Sequence, residues 1–275
     1  MTINCKGYLI DLSKPKVMGI LNVTPDSFFD GGQHNSTKSA LSQTEKMLED
    51  GADLIDIGAY SSRPGAKAIS EEEELKRLSI LPEITKRFPE ALISIDTFRS
   101  AVARFAVENG ACLINDISAG NLDEKMFETA AELQVPYIAM HMHGTPDTMQ
   151  NKPTYDELGV TINVVKSLSG VVLKLNQLGV NDVILDPGFG FGKTVKDNYQ
   201  LLRELDQLSI LECPILVGVS RKSMINNVLD INQQEALNGT TAVHMLALQN
   251  GANILRVHDV LEAKQAVDIF SAYQA

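Results

Sequence analysis

The sequence predicts an α/β chain folded as one (β/α)8 barrel domain over residues 1–275, with a short N-terminal β-hairpin ahead of it. Three observations lead there. Apolar runs and amphipathic runs alternate eight times, as buried parallel strands joined by right-handed crossovers require. Three helical stretches leave through one turn solution: Asp50-Gly51-Ala52, Asn109-Gly110-Ala111 and Asn250-Gly251-Ala252 each place glycine where a left-handed exit favours it. The length suits one barrel, and no Pro/Ser-rich linker or composition break divides the chain. An open doubly wound sheet is the other closure, and the count of eight favours the barrel.

Ile3 to Leu12 alternates weakly around Gly7 and reads as the hairpin. The strands are expected at Val17–Leu21, Leu54–Ile57, Leu92–Ile95, Cys112–Ile114, Tyr137–Met140, Val183–Leu185, Ile215–Val219 and Ile254–Val257. Ser36–Asp50 sets Ala40, Leu41, Thr44, Met47 and Leu48 on one helical face. Ser70 followed by Glu73 reads as a capping box, with further Glu in the first turn where the helix dipole favours negative charge. Helices follow over Ser100–Asn109, Glu124–Leu133, Asp156–Leu178, Val195–Leu208, Ala236–Asn250 and Leu261–Tyr273.

Composition narrows the class. Hydrophobic residues make up 44% and charged residues 21%, ordinary for a globular enzyme. No apolar run is long enough to span a bilayer, and Met1-Thr2-Ile3-Asn4 does not read as a signal peptide. Cys5, Cys112 and Cys213 lie far apart among apolar neighbours, which suits reduced thiols in a cytoplasmic protein. A net charge of −11 argues against nucleic-acid or anionic-membrane partners, so any anion site must be a local cluster of cations.

The polar ends of the apolar runs carry the chemistry. They are Asn22, Asp56 (inside its run), Asp96, Asn115-Asp116, His141, Asp186, Ser220-Arg221-Lys222, and Arg256 with His258. In a barrel these ends meet at one mouth, where barrel enzymes work. Any single Asp, Asn or Ser there could merely cap the next helix, the better reading for Asp116 and Asp259. Capping does not explain Arg, Lys and His, and a polar group inside an apolar run destabilises unless paired. Arg63, Lys222, Arg256 and His258 suit a phosphate or diphosphate. Asp96, Asn115 and Asp186 suit the donor edge of a heterocycle. Asn22 offers a neutral oxygen to a magnesium ion shared with substrate phosphates. Together they describe a pocket for a flat, nitrogen-rich ring with a phosphate tail.

Asp186-Pro187-Gly188-Phe189-Gly190-Phe191-Gly192-Lys193-Thr194 matches neither a Walker loop, because Pro187 stands where the first glycine belongs, nor a dinucleotide fingerprint, because Lys193 stands at its third glycine. It reads as a tight turn that brings backbone near a ligand, with Phe191 as an apolar wall. Ser61-Ser62-Arg63-Pro64-Gly65-Ala66 reads as a loop that aims a guanidinium. His141, His143 and His258 lack zinc-site spacing, and no Gly-x-Ser-x-Gly elbow marks a serine hydrolase.

With these residues assembled, the chain resembles the dihydropteroate synthases, pterin-binding TIM-barrel enzymes that sulfonamides inhibit. The resemblance runs from about Val17 to Val260. It rests on Gly19-Ile20-Leu21-Asn22-Val23-Thr24-Pro25-Asp26-Ser27-Phe28, Ser62-Arg63-Pro64-Gly65, Ile95-Asp96-Thr97, Ile114-Asn115-Asp116, the Asp186–Lys193 loop, Gly218-Val219-Ser220-Arg221-Lys222-Ser223, and Arg256-Val257-His258-Asp259. It implies a transferase that condenses a dihydropterin methyl diphosphate with 4-aminobenzoate, with Mg2+ as cofactor, small-molecule partners and a homodimer. Asp96, Asn115, Met140, Asp186, Lys222 and Arg256 would hold the pterin. Asn22, Arg63, Arg256 and His258 would hold the diphosphate, Asn22 through the metal. Phe28, Ser62, Arg63, Pro64, Phe191, Lys222 and Ser223 would shape the aminobenzoate site, with the Thr24–Gly32 loop closing over it. Arg63, Asp96, Asp186, Lys222, Arg256 and His258 would be the catalytic set. Ser62, Tyr60 and His143 depart from the family pattern, which commonly has Thr, an acidic residue and Gln there. The alternatives are a methyltransferase domain that binds methyltetrahydrofolate, a Schiff-base aldolase using Lys222, and a non-catalytic folate-binding protein.

Overall fold

The chain enters through an antiparallel hairpin, β1 (Thr2–Cys5) and β2 (Tyr8–Asp11), turned at Lys6-Gly7 with φ of 51° and 94°. Two consecutive positive φ values match the right-handed twist of paired strands. The computed structural model describes residues 1–23, 33–61, 68–144 and 154–275, residues 33–36 as backbone only.

Eight parallel strands follow: β3 (Lys16–Asn22), β4 (Leu54–Gly58), β5 (Ile93–Asp96), β6 (Leu113–Asp116), β7 (Tyr137–Met140), β8 (Val183–Asp186), β9 (Leu216–Val217) and β10 (Ile254–Val257). Their order is β8-β7-β6-β5-β4-β3-β10-β9, and a bridge from Leu185 to Ile215 joins the two ends into a ring. The expected (β/α)8 barrel, with its leading hairpin, is the observed fold. Helices α1 (Gln33–Glu49), α2 (Glu71–Arg77), α3 (Leu81–Arg87), α4 (Ser100–Glu108), α5 (Met126–Leu133), α6 (Gly159–Gln177), α7 (Val195–Arg203), α8 (Ser223–Leu229), α9 (Leu237–Gln249) and α10 (Val260–Gln274) surround it.

Side chains alternate between two faces along each strand. Val17, Ile55, Ile95, Ile114, Leu185, Val217 and Leu255 belong to the large core cluster shared with the helices. Gly19 keeps that layer thin, since a Cβ there would stand 3.0 Å from both Met47 and Val260. Met18, Leu54, Leu113, Ile138, Ile184, Leu216 and Ile254 form a second buried cluster, closed from below by Ile3, Cys5, Ile10 and Leu12 of the hairpin and its exit. Two residues further along those strands stand Ile20, Asp56, Asn115, Met140, Asp186, Gly218 and Arg256. Period two thus converts an apolar floor into a polar one within a single step toward the mouth.

Several boundaries differ from expectation. The run Ile215–Val219 yields only Leu216–Val217 as strand, because Gly218 begins the turn toward the mouth. Val195–Leu208 divides into α7 and a 3₁₀ stretch, Leu205–Leu211. Helix α5 begins at Met126 and α6 at Gly159, each after a turn capped by an aspartate, Asp123 or Asp156. At Ser70 the side chain accepts from the Glu73 backbone N–H, but the Glu73 carboxylate binds Arg77, so the expected box is half formed. Helices α3 and α8 are short and amphipathic patterns at seven residues are weak. Asp116 and Asp259 are not side-chain helix caps. Asp116 accepts from Ser118, Gly120 and the Tyr137 hydroxyl, and Asp259 makes a fork with Arg221.

Candidate active site

A cavity of about 390 Å³ opens at the carboxyl ends of the strands. Strand ends supply Asn22, Asp96, Ser220, Arg256 and His258 to its wall, and the following turns supply Phe191, Lys222 and Ser223. Tyr60, Ser61, Arg221, Asn226 and Gln233 also line it; of these, Asn226 and Gln233 gave no signal in the sequence.

Arg256 is the hub of the floor. Its Nε donates to Asp56 Oδ2 at 2.7 Å and its Nη2 to Asp96 Oδ2 at 2.8 Å. Asn115 Nδ2 donates to the same Asp56 oxygen at 2.9 Å. Burial alone would lower the Arg256 pKa, and the Asp56 and Asp96 carboxylates outweigh it, so the guanidinium is held charged. Burial pushes the Asp96 carboxyl upward against the pull of Arg256, and the neighbouring Asp56 charge pushes the same way as burial. Asp186 is likewise raised by burial, offset by Lys222, the Gly188 N–H and Arg256. Asp56 itself is fully buried, and its Oδ1 has no hydrogen-bond partner among the described residues. Its signal in the sequence was an acid within an apolar run.

On the opposite wall, Lys222 Nζ donates to the Phe189 carbonyl at 2.5 Å and lies 4.7 Å from the centre of the Phe191 ring. Burial lowers its pKa to about 8, with Asp186 resisting and Arg256 assisting the fall. Gly218 leaves the floor between these cations bare, since a Cβ there would stand 3.9 Å from both Arg256 Cβ and Lys222 Nζ. His258 Nδ1 lies 3.0 Å from Ser220 Oγ, which also accepts from the His258 backbone N–H. Tyr60 stands edge-on to Phe98 at 5.0 Å, with the Arg99 guanidinium 5.6 Å from its ring centre. Two acids, one of them held by an amide, therefore grip Arg256 on the floor of the cavity, and Lys222 with the Phe191 ring forms the wall beside them.

The sequence and the fold have known relatives. The profile of the pterin binding enzymes matches residues 18–258. The chain is 43% identical to the dihydropteroate synthase of Escherichia coli (strain K12), covering 99% of this chain and 96% of that one. The chain belongs to the dihydropteroate synthase family. Its structure is similar to that of the Yersinia pestis dihydropteroate synthase with a sulfonamide drug, at TM-score 0.93 and 42% identity over 100% of this chain and 99% of that one. The Xanthomonas albilineans dihydropteroate synthase with 4-aminobenzoic acid gives TM-score 0.92 and 39% identity over 100% and 98%.

Of the residues expected from the dihydropteroate synthase resemblance, Asn22, Asp96, Phe191, Lys222, Ser223, Arg256 and His258 line the one cavity. Asn115 stands beneath it, one hydrogen bond from Asp56, and Met140 and Asp186 pair in register across β7 and β8. Phe28, Ser62, Arg63 and Pro64, together with the Thr24–Gly32 loop, lie outside the described residues. His141 and His143 do not share a site with His258, and no cluster of three metal-binding side chains occurs among the described residues. Sequence reading named Asp56 and Lys193 but gave neither a role; both are buried and both are hydrogen-bonded to site elements.

Proposed function

We propose that this chain condenses (7,8-dihydropterin-6-yl)methyl diphosphate with 4-aminobenzoate, giving 7,8-dihydropteroate and diphosphate in folate biosynthesis. The observation that carries the reading is the sorted cavity: Asp96 and Asn115 beside Arg256 on the floor, Lys222 and Phe191 on the wall, and one opening above them. Asp96, Asn115 and Asp186 are acceptors and amides suited to the amino and ring N–H edge of a pterin, and Lys222 Nζ can donate to its carbonyl side. Met140, in register with Asp186, would contact the ring.

Chemistry begins with departure. The methylene C–O bond breaks, its electron pair leaves with the diphosphate, and the positive charge spreads over the pterin. Asp96 and Asp186, fixed near that ring, stabilise the developing charge electrostatically. Arg63 and His258 take the leaving oxygens, while Arg256, locked between two carboxylates, offers its remaining Nη1 face. The neutral aniline nitrogen then attacks the methylene carbon, forms the C–N bond and gives up one proton to the departing diphosphate. No enzyme nucleophile is required, which agrees with a site built of charges and hydrogen-bond partners. Phe28, Ser62, Pro64, Phe191 and Ser223 hold the arylamine and exclude water from the cation.

Asn22 would hold Mg2+. Its carboxamide makes no hydrogen bond within the described residues, and one neutral oxygen suits an ion whose other ligands are diphosphate oxygens and water. When bound, the ion supplies charge neutralisation on the leaving group. A second copy of the chain is expected at the late helices, where Leu246 of α9 and Leu261, Ile269 and Tyr273 of α10 are exposed. No helix among the described residues is long and apolar enough to cross a membrane, and three unpaired thiols fit a cytoplasmic setting.

The test is a coupled diphosphate-release assay with the pterin diphosphate, with and without 4-aminobenzoate and magnesium. Release that depends on both supports the reading. Pterin binding without release would overturn it. Sedimentation of the purified chain checks the dimer.

A further inference from the structure

The glycine-rich turn after β8 contains one charged side chain, Lys193, to which the proposed reaction gives no role. It is 8% exposed. Its Nζ lies 2.9 Å from the Gly188 carbonyl, 3.2 Å from the Phe191 carbonyl and 3.0 Å from His141 Nδ1, with the His141 carbonyl at 3.4 Å. A protonated lysine has three N–H donors, one for each of the nearer acceptors. His141 is ready to accept, because burial, Lys193 and His143 lower its pKa to about 3 and leave the ring neutral.

The turn is wrapped tightly around this amino group. Gly188 presses on β7 so closely that a Cβ would fall 1.9 Å from the His141 carbonyl oxygen, and Gly192 leaves no room beside His143. Asn198 closes the cage, accepting from Gly190 N–H at 2.7 Å and donating to the Lys193 carbonyl at 3.2 Å. The Tyr155 hydroxyl donates to the Gly192 carbonyl at 2.8 Å. The outer surface of the same turn faces substrate: the Phe189 carbonyl receives Lys222 and the Phe191 ring walls the cavity.

We propose that Lys193 is a positioning residue for the arylamine half of the pocket, holding the 188–191 turn from beneath so that the Phe191 ring keeps its place. It touches no substrate; it acts through the carbonyls it gathers. Groups facing it are His141 and His143 from the end of β7, Asp186 from β8, Lys222 beyond β9 and Asp197 of α7. This inference rests on the synthase reading above, and wild-type diphosphate release tests that reading separately.

The experiment compares wild type, Lys193→Met, Lys193→Gln, Phe191→Ala and the Lys193→Met/Phe191→Ala double variant. KM for 4-aminobenzoate, KM for the pterin diphosphate, kcat and the melting temperature are measured for each. Lys193→Met is expected to raise the aminobenzoate KM about tenfold or more while the pterin KM stays within about threefold. Lys193→Gln, which keeps two donors for the carbonyls, is expected to restore part of the loss. In the Phe191→Ala background Lys193→Met should add little, because both substitutions act on one wall. Three results overturn the proposal: an unchanged aminobenzoate KM, equal rises in both KM values with a lower melting temperature, or full additivity of the two substitutions. If Lys193→Met does not fold, Lys193→Gln is held to the same criteria, with its aminobenzoate KM expected to rise about threefold or more.

Discussion

Asp56 shows how much of a site is carried by a side chain that no substrate meets. It takes hydrogen bonds from Arg256 and Asn115 on one oxygen and is wholly buried. Removing one member of a buried charge pair leaves the other uncompensated, usually a larger loss than the pair ever contributed. Asp56→Asn is therefore expected to lower kcat/KM for the pterin diphosphate by about tenfold or more, with a lower melting temperature. Steady-state kinetics and calorimetry check both. Asp96→Asn separates binding from chemistry. If the Asp96 charge stabilises the cation, single-turnover rates fall at saturating pterin; loss of affinity alone would confine Asp96 to holding the ring. Sequence reading reached Asp96, Arg256 and Lys222 because charge at a strand end is conspicuous. It left Asp56 unassigned because its partner lies two hundred residues away, and a pairing across the barrel has no local spacing. Lys193 was visible as the residue that spoils a nucleotide motif and as the end of a family motif, with no role attached in either.

At the level of elements, runs of three to five apolar residues placed every strand, and glycine exits placed the ends of α1, α4 and α9. The shortfalls have physical causes. Strand β9 shrinks to two residues because Gly218 and the site turn take over the rest of its run. Helix α8 has only seven residues, too few for periodicity to declare itself. The turn after β8 is the element most sensitive to substitution. Gly188 has φ of 69°, and an added Cβ would overlap the His141 carbonyl oxygen at 1.9 Å. Gly188→Ala is expected to destabilise the fold by about 3 kcal/mol, a combination of strain and displacement. Denaturant midpoints measure this, and a change below about 0.5 kcal/mol would mean the turn can move away from β7.

Across the whole molecule, stability at alkaline pH should carry the mark of Lys193. Burial, with repulsion from Lys222, lowers its pKa from 10.5 to about 7, with Asp186 and Asp197 opposing. A lowered folded value means that the favourable contribution is complete above 10.5 and is lost as pH falls toward 7. Whatever its offset at high pH, the melting temperature of Lys193→Met relative to wild type should therefore rise as pH falls across that interval. A flat difference would show that the lysine keeps its ordinary value in the folded chain. The far end of the barrel behaves independently. Leu12 is fully buried under the second core cluster. Leu12→Ala is expected to cost about 3 kcal/mol while kcat of the folded enzyme is unchanged, since the polar mouth is at the other pole.

That hairpin closure also sets the medium in which the floor charges sit. With Ile3, Ile10 and Leu12 covering the second core cluster, a dry apolar layer lies beneath Asp56 and its partners. Attraction between opposite charges grows as the surroundings become less polarisable, so the grip of Arg256 on its carboxylates is strengthened from below. A two-stranded plug thus tunes electrostatics at the opposite pole.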